Sequence, residues 1–287
     1  MKVLVTGAKG MLGTDVCSEL VRRGINHIAT DIADLDLTDF YAIVEYIERS
    51  KPTHLINCAA YTAVDAAETN EVLAYRGNAL TCLALAIACN SVNVPLLSVS
   101  TDFVFDGTKT TAYDEFDAPN PIGVYGKSKL EGEEFIRRNA PKHWIVRTSW
   151  LFGVNGKCFP DTIIKAAQAR PELKVVADQR GKPTYTVDLA AAMVDLLSNP
   201  FYGTYHVSNS GTTDWHEFAS EAVRLAKLDT PVLPITTTEY PTPAQRPANS
   251  ALVSRMRELQ RIPPLRCWKE ALAEYVQQRA EAAERNS

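Results

Sequence analysis

The chain has 287 residues, 46% of them hydrophobic and 22% charged, with a formal net charge of −4. That composition is ordinary for a globular α/β protein, and the length suits one large domain or a core domain with a smaller lobe. Basic residues come only as short scattered pairs such as Arg22-Arg23 and Arg137-Arg138, so neither nucleic acid nor an acidic membrane surface is expected as a partner. The apolar stretch that begins at Met1 breaks at Thr6-Gly7 and is too short for a signal peptide. Nowhere do about 18 apolar residues run together, so no transmembrane helix is expected. Cys17, Cys58, Cys82, Cys89, Cys158 and Cys267 show no C-x-x-C pair and no histidine at metal spacing. Free thiols in a reducing cytoplasm, with no metal, are the simplest reading.

In chain order, 2–6 reads as a buried strand and 11–23 as a helix with Leu12, Val16, Leu20 and Val21 on one face. A second strand, 27–30, ends in Asp31. Thr38 is placed to cap a helix that carries Ile43, Val44 and Ile47 and stops before Pro52. Leu55-Ile56 opens into Asn57, and a long helical pattern follows over 72–91. Strands at 96–100 and 144–147 complete an alternation that implies right-handed βαβ units. The predicted fold class is α/β, a Rossmann-type doubly wound parallel sheet with a smaller, mainly C-terminal lobe. Beyond Trp150 the rhythm loosens: helices are expected over 159–169, 189–197, 215–226 and 268–283, and a late strand over 204–207. The predicted division is a dinucleotide-binding domain over 1–150, with segments around 174–209 returning to it. A smaller substrate-binding lobe takes 151–173 and 210–287, and the tail 281–287 is expected to fray.

Between the first strand and helix lie Gly7, Gly10 and Gly13 in the spacing G-x-x-G-x-x-G, with Met11 and Leu12 opening the helix. One glycine permits the tight turn, another lets backbone N–H groups approach a pyrophosphate, and the last lets helix and strand pack closely. Asp31 stands where a carboxylate accepts hydrogen bonds from ribose hydroxyls, which favours NADH. No basic residue follows it directly, and NADPH is not excluded. Asp36 and Leu37 are placed to flank the adenine or to serve the following turn and cap.

Tyr125 and Lys129 lie four apart, on one face of a helix. Carbonyl reduction needs a proton at oxygen as hydride reaches carbon, and a neighbouring ammonium is expected to lower the tyrosine pKa for that task. Thr101 and Asp102 close the strand 96–100 at its C-terminal edge, where open α/β sheets hold their ligands. The Thr101 hydroxyl is placed to hold a keto oxygen beside Tyr125; turn chemistry is the other reading for both residues.

With these residues in place, the chain resembles the extended short-chain dehydrogenases, and among them the dTDP-4-dehydrorhamnose reductase family. The resemblance runs nearly end to end. It is carried by the glycine loop, Asn57-Cys58-Ala59-Ala60-Tyr61-Thr62-Ala63-Val64-Asp65 with Glu68 and Asn78, and Ser100 to Gly107. Further on it is carried by Tyr125 to Lys129, Arg147-Thr148-Ser149-Trp150, Asp178-Gln179 with Gly181 and Pro183-Thr184, and Arg246-Pro247 with Asn249-Ser250. The resemblance implies catalysis by Thr101, Tyr125 and Lys129. It implies NADH or NADPH bound at Gly7, Gly10, Met11, Leu12, Gly13, Asp31, Asp36, Leu37, Cys58, Ala59, Ala60, Tyr61, Asn78, Tyr125 and Lys129. It also implies a nucleotide-sugar substrate against Val64, Thr101, Asp102, Phe103, Trp150 and Arg246, with Trp150 against the sugar and Arg246 toward the nucleotide. An aromatic face suits a sugar's C–H surface and an arginine fork suits phosphate; a core tryptophan and a surface arginine are the plainer readings.

Some members of that family hold magnesium between subunits on acidic residues. Here Asp15 falls at one such place, but Val187 occupies another, so no metal is expected and a homodimer is left open. The alternatives are an epimerase or other reductase of the same superfamily, and a non-catalytic subunit resembling the regulatory subunit of methionine adenosyltransferase. A dehydratase would carry an acid after Asp102, where this chain has Phe103.

Overall fold

The computed structural model describes residues 1–285. Strand β1 (Lys2–Thr6) runs into helix α1 (Met11–Arg22), then β2 (Asn26–Thr30), α2 (Phe40–Ser50) and β3 (His54–Asn57). A short α3 (Val64–Ala67) precedes α4 (Glu71–Tyr75), a π-helical turn (Arg76–Leu80) and α5 (Thr81–Ser91). Next come β4 (Leu96–Thr101), α6 (Val124–Asn139) and β5 (His143–Thr148). The rest is β6 (Leu151–Phe152), α7 (Phe159–Ala169), β7 (Leu173–Val176), β8 (Arg180–Gly181), β9 (Thr184–Tyr185), α8 (Thr186–Leu196) and β10 (Gly203–His206). Then follow β11 (Thr213–Asp214), α9 (Trp215–Leu225), β12 (Val232–Ile235), α10 (Arg255–Leu259) and α11 (Trp268–Arg285).

Six strands form one parallel sheet in the order β10-β5-β4-β3-β1-β2. Its apolar runs are continuous because both faces are covered: Val3, Leu4, Val5, Leu55, Ile56, Leu96 and Leu97 are fully buried. On one face α1 and α8 close over Val3, Val5 and Val146; on the other α2, α5 and α6 close over Leu4, Leu55 and Ile145. The strand order reverses between β1 and β3, which opens a crevice at the carboxyl ends of the strands. The predicted doubly wound architecture is the one found.

Several local expectations shift. Val21 is 66% exposed, because a helix turns about 100° per residue and carries Val21 past the face that buries Leu20. Asp39, not Thr38, caps α2: its carboxylate accepts from the Ala42 N–H at 3.1 Å, while Thr38 donates its N–H and hydroxyl to Asp36. The helix Glu71–Ser91 is the one element among the described residues long and apolar enough to cross a membrane. It packs against α2 and α6, and 56% of its most apolar window is buried. Strand β7 pairs with β12 rather than with the central sheet, so the part of 174–209 that rejoins the sheet begins with α8 and ends with β10. Helix α11 continues to Arg285, beyond the point where fraying is expected; the last two residues of that tail lie outside the described residues.

The C-terminal half builds its own small cores. Phe152, Tyr185, Phe218, Trp268 and Tyr275 form one, and Ile163, Leu173, Val175, Ala219 and Val223 another. Short pairs β6–β9, β8–β11 and β7–β12 join these segments beside the mouth of the crevice.

Candidate active site

A cleft of about 940 Å³ runs across the carboxyl ends of β1 to β5. At one end Gly7 takes a left-handed φ of +66°, and a Cβ there would fall 2.7 Å from the Ala59 nitrogen. A Cβ on Gly13 would meet the Gly7 carbonyl oxygen at 2.1 Å, so only glycine lets α1 start this close to the loop. Gly10 precedes α1 with no side chain capping its N-terminus and no acidic residue in the first turn. The helix therefore presents open N–H groups and the positive end of its dipole to the cleft, a cradle for an anion.

Beside it, the Asp31 carboxylate accepts from the backbone N–H of Lys9 at 2.9 Å and of Ile32 at 2.9 Å. Asp36 also lines the cleft; its carboxyl is held below the ordinary range chiefly by the Thr38 N–H, so the turn reading and the cleft position coexist. Leu37, Cys58, Ala59 and Ala60 form the walls. Tyr61 lies there too, gripped by Asn78: its N–H donates to Asn78 Oδ1 at 2.9 Å, and Asn78 Nδ2 donates to its carbonyl at 3.1 Å and to Ser128 Oγ at 3.0 Å. Asn78 sits on the π-helical turn, is buried, and does not itself line the cleft. A widened turn at that point re-aims the amide, a common use of such bulges.

The other end holds Thr101, Asp102, Phe103, Tyr125 and Lys129, with Val64 and Trp150 near them. Helix α6 carries Tyr125 and Lys129 one turn apart. Its first N–H, from Val124, donates to Glu68 Oε1 at 2.9 Å, so a carboxylate from the turn after α3 anchors the helix start. Tyr125 packs edge-on against Phe103, with ring centroids 5.6 Å apart. Thr101 Oγ donates to Asp102 Oδ1 at 3.0 Å and accepts from the Phe103 N–H at 3.2 Å. Burial pushes Tyr125 up to about 12; the Thr101 hydroxyl works against that shift and the Asp102 charge adds to it. The expected lowering by Lys129 is therefore not found. The Lys129 ammonium donates to the Val99 carbonyl at 2.8 Å, and burial lowers its own pKa. Burial also lifts the Asp102 carboxyl to about 6, and its second oxygen, Oδ2, has no hydrogen-bond partner.

Arg246 lies outside the cleft lining. Its guanidinium donates to both oxygens of Asp65 at 2.9 Å and stands 5.8 Å over the Phe103 ring, so it backs the Val64–Phe103 wall. Trp150 does line the cleft, but its indole is stacked on Trp215.

Three further features gain a place in the site only through the fold. Lys9 lines the cleft next to Asp31, a position visible only once the loop folds against β2. Ser100, Thr148, Ser149 and Lys157 also line it. Under the floor, Glu133 takes Ser100 Oγ at 2.5 Å and a two-pronged ion pair from Arg147 at 2.9 and 2.6 Å, with both charged side chains 2% exposed. The spacing of Glu133 one turn after Lys129 was the available signal. Among the described residues no three or more of His, Cys, Asp and Glu cluster at metal-binding distance; Asn155 donates to Asp15 Oδ1 at 2.8 Å.

A family model described as the RmlD substrate binding domain matches residues 1–281. The spore coat polysaccharide biosynthesis protein SpsK of Bacillus subtilis (strain 168) is 41% identical over 283 residues, 99% of each chain. A dTDP-4-dehydrorhamnose reductase from Clostridium acetobutylicum is 44% identical with a TM-score of 0.95, covering 97% of this chain and 99% of that one. The dTDP-4-dehydrorhamnose reductase of Bacillus anthracis, solved in complex with NADP, is 39% identical with a TM-score of 0.94, covering 96% and 99%. With likeness of that extent in sequence and in fold, the chain belongs to the dTDP-4-dehydrorhamnose reductase family of the extended short-chain dehydrogenases.

Proposed function

We propose that this protein reduces the C4 keto group of dTDP-4-dehydro-L-rhamnose with NADH or NADPH, giving dTDP-L-rhamnose, with Tyr125 as the general acid. The observation that carries the reading is one cleft that joins a glycine-built anion cradle to Thr101, Tyr125 and Lys129. The residues fit a dinucleotide. The space a Cβ would fill at Gly7 and Gly13 is closed by backbone, the α1 N–H groups are open, and Asp31 stands beside them. A nicotinamide, when bound, supplies the hydride that reaches C4.

The chain's own residues do the rest. Asp31 and Lys9 take the adenosine end and the α1 N-terminus the pyrophosphate, leaving the far end of the cleft for the reacting ring. The Thr101 hydroxyl and the Tyr125 phenol converge on the keto oxygen. A phenol lifted to about 12 keeps its proton throughout neutral pH and is available to donate a hydrogen bond to that oxygen. As the carbonyl becomes an alkoxide its basicity rises steeply, and the phenolic proton passes to O4; the phenolate regains a proton from solvent. Lys129 shares that end of the cleft, its ammonium held by the Val99 carbonyl. Carbonyl, hydride and proton together make the alcohol. We also read the division of labour as a dinucleotide-binding part over 1–150, rejoined by α8 and β10, and a substrate-binding lobe made by the remainder.

The test is NADH and NADPH oxidation with enzymatically made dTDP-4-dehydro-L-rhamnose, with product identified by chromatography. Tyr125→Phe should lower kcat by about 10²- to 10⁴-fold while leaving cofactor affinity within about twofold. Saturable cofactor binding with no oxidation by the unaltered protein would sink the reductase reading and leave a binding role.

A further inference from the structure

Trp150 lies two residues beyond β5 and takes a φ of +48°, a left-handed conformation that a bulky residue adopts only when its surroundings impose it. Those surroundings are a clamp. On one side the indole of Trp215 lies parallel to it, with an interplanar angle of 8° and ring centroids 3.5 Å apart. Planes that close are in contact and leave no room for an atom between them. On the other side is Gly181, where a Cβ would fall 2.3 Å from Trp150 Cε2, 2.4 Å from Cζ2 and 2.6 Å from Nε1. Cε2 is the ring-fusion carbon between the other two atoms. An approach that comes nearest to it comes over the face of the ring, since from the rim Cζ2 and Nε1 would be met first. Pairing of β8 with β11, Thr213 opposite Gly181, brings both jaws together, because Trp215 opens α9 two residues later.

Both faces of Trp150 are thus covered by protein, while the residue still lines the substrate end of the cleft. We propose that Gly181 and Trp215 are positioning residues that clamp Trp150, so that the indole meets the sugar with its rim and not with its face. The rim of an aromatic ring is the electropositive part of its quadrupole. A rim-on indole therefore selects ring oxygens and hydroxyls, whereas a face-on indole would select a C–H surface. The proposal deepens the reading of the cleft as a nucleotide-sugar site and rests on it.

The test uses full-length Gly181→Ala, Trp215→Leu and Trp215→Phe proteins. Two indoles in parallel contact give an exciton couplet in far-ultraviolet circular dichroism. The couplet should be present in the unaltered protein and displaced or weakened in Gly181→Ala, whose added methyl has no room beside the ring. It should be lost in both Trp215 variants. For Gly181→Ala and Trp215→Leu, KM for the keto sugar and the calorimetric Kd for dTDP-L-rhamnose should rise roughly tenfold. Cofactor Kd should stay within about twofold, and kcat should fall less than KM rises. Trp215→Phe, which keeps a flat ring against Trp150, should recover most of the sugar affinity, which a mere folding defect would not predict. An unchanged couplet in Gly181→Ala, or a couplet lost in Trp215→Leu with sugar affinity intact, overturns the clamp. The couplet and the calorimetry need no turnover, so an unaltered protein that binds dTDP-L-rhamnose without reducing the keto sugar would sink the reductase reading alone. A protein that binds no sugar nucleotide overturns both.

Discussion

Asp102 is 2% exposed, its Oδ2 has no partner, and burial lifts its carboxyl to about 6 from an ordinary 3.8. A folded-state value above the unfolded one contributes stability below the unfolded pKa and loses it as pH rises through the folded pKa. The window here runs from pH 3.8 to about 6, so above it the ionised carboxylate is a standing cost. Asp102→Asn should raise unfolding free energy by about 2 kcal/mol at pH 8 and leave it nearly unchanged at pH 4, read by urea denaturation at both values. A loss of stability at pH 8 would show that the Ser250 hydroxyl, which works against the lift, or a bound water already satisfies the oxygen. Lys9 makes a second prediction at this scale. Its N–H is held by Asp31 and the residue lines the cleft; in the proposed binding mode a cation there suits a 2′-phosphate. Lys9→Ala should raise the Kd of NADPH by about tenfold and that of NADH by less than about twofold, measured by nicotinamide fluorescence. Equal effects on both would remove Lys9 from cofactor choice.

Elements are held in register by the buried ion pair between α6 and β5. Glu133 receives Arg147, Arg137 and Ser100, and the two guanidinium groups outweigh burial to bring its carboxyl down to about 2. A depressed value contributes stability above the unfolded pKa of 4.5 and loses it as pH falls toward 2. Glu133→Gln leaves Arg147 buried without a counter-charge and should cost about 3 to 5 kcal/mol at pH 7. The gap to the unaltered protein should narrow below about pH 4. Guanidinium denaturation across that range checks both statements; a pH-independent difference would point to lost packing instead. Because Tyr125, Lys129 and Glu133 share one helix, this pair also fixes how deep α6 sits beneath the cleft.

Across the whole molecule, the cleft is bounded by segments far apart in sequence, from the glycine loop near residue 7 to Lys157. A ligand that spans it binds the folded chain and not the unfolded one. NADPH at about 100 times its Kd should add about 2.7 kcal/mol of stability, a rise of several degrees in Tm by scanning calorimetry. The Tyr125→Phe protein should show the same rise, since the phenol oxygen acts on substrate. A Tm that ignores both NADH and NADPH would remove the cofactor from the proposal.

Local patterns were enough for much of this. Continuous apolar runs alternating with helical periodicity determine a parallel sheet with both faces covered, because no other arrangement buries those strands. Gly7, Gly10 and Gly13 are legible since their spacing states a backbone need, and Tyr125 with Lys129 since a helix puts them on one face. Cap choice at Asp39 over Thr38 was not legible, because both side chains suit the role and the carboxylate of Asp36 decided it by taking Thr38. What only the tertiary structure decided are the long-range meetings. Lys9 meets Asp31 through the loop's fold, and Arg147 meets Glu133 across a strand–helix interface. Trp150 is covered by a glycine from β8 and a tryptophan from the start of α9. The tyrosine pKa belongs with these: spacing alone promised a cation that lowers it, whereas burial and the Asp102 charge raise it and the lysine donates to Val99 instead. Sequence periodicity records which face of an element is buried; which partner covers that face depends on chain segments that periodicity does not connect.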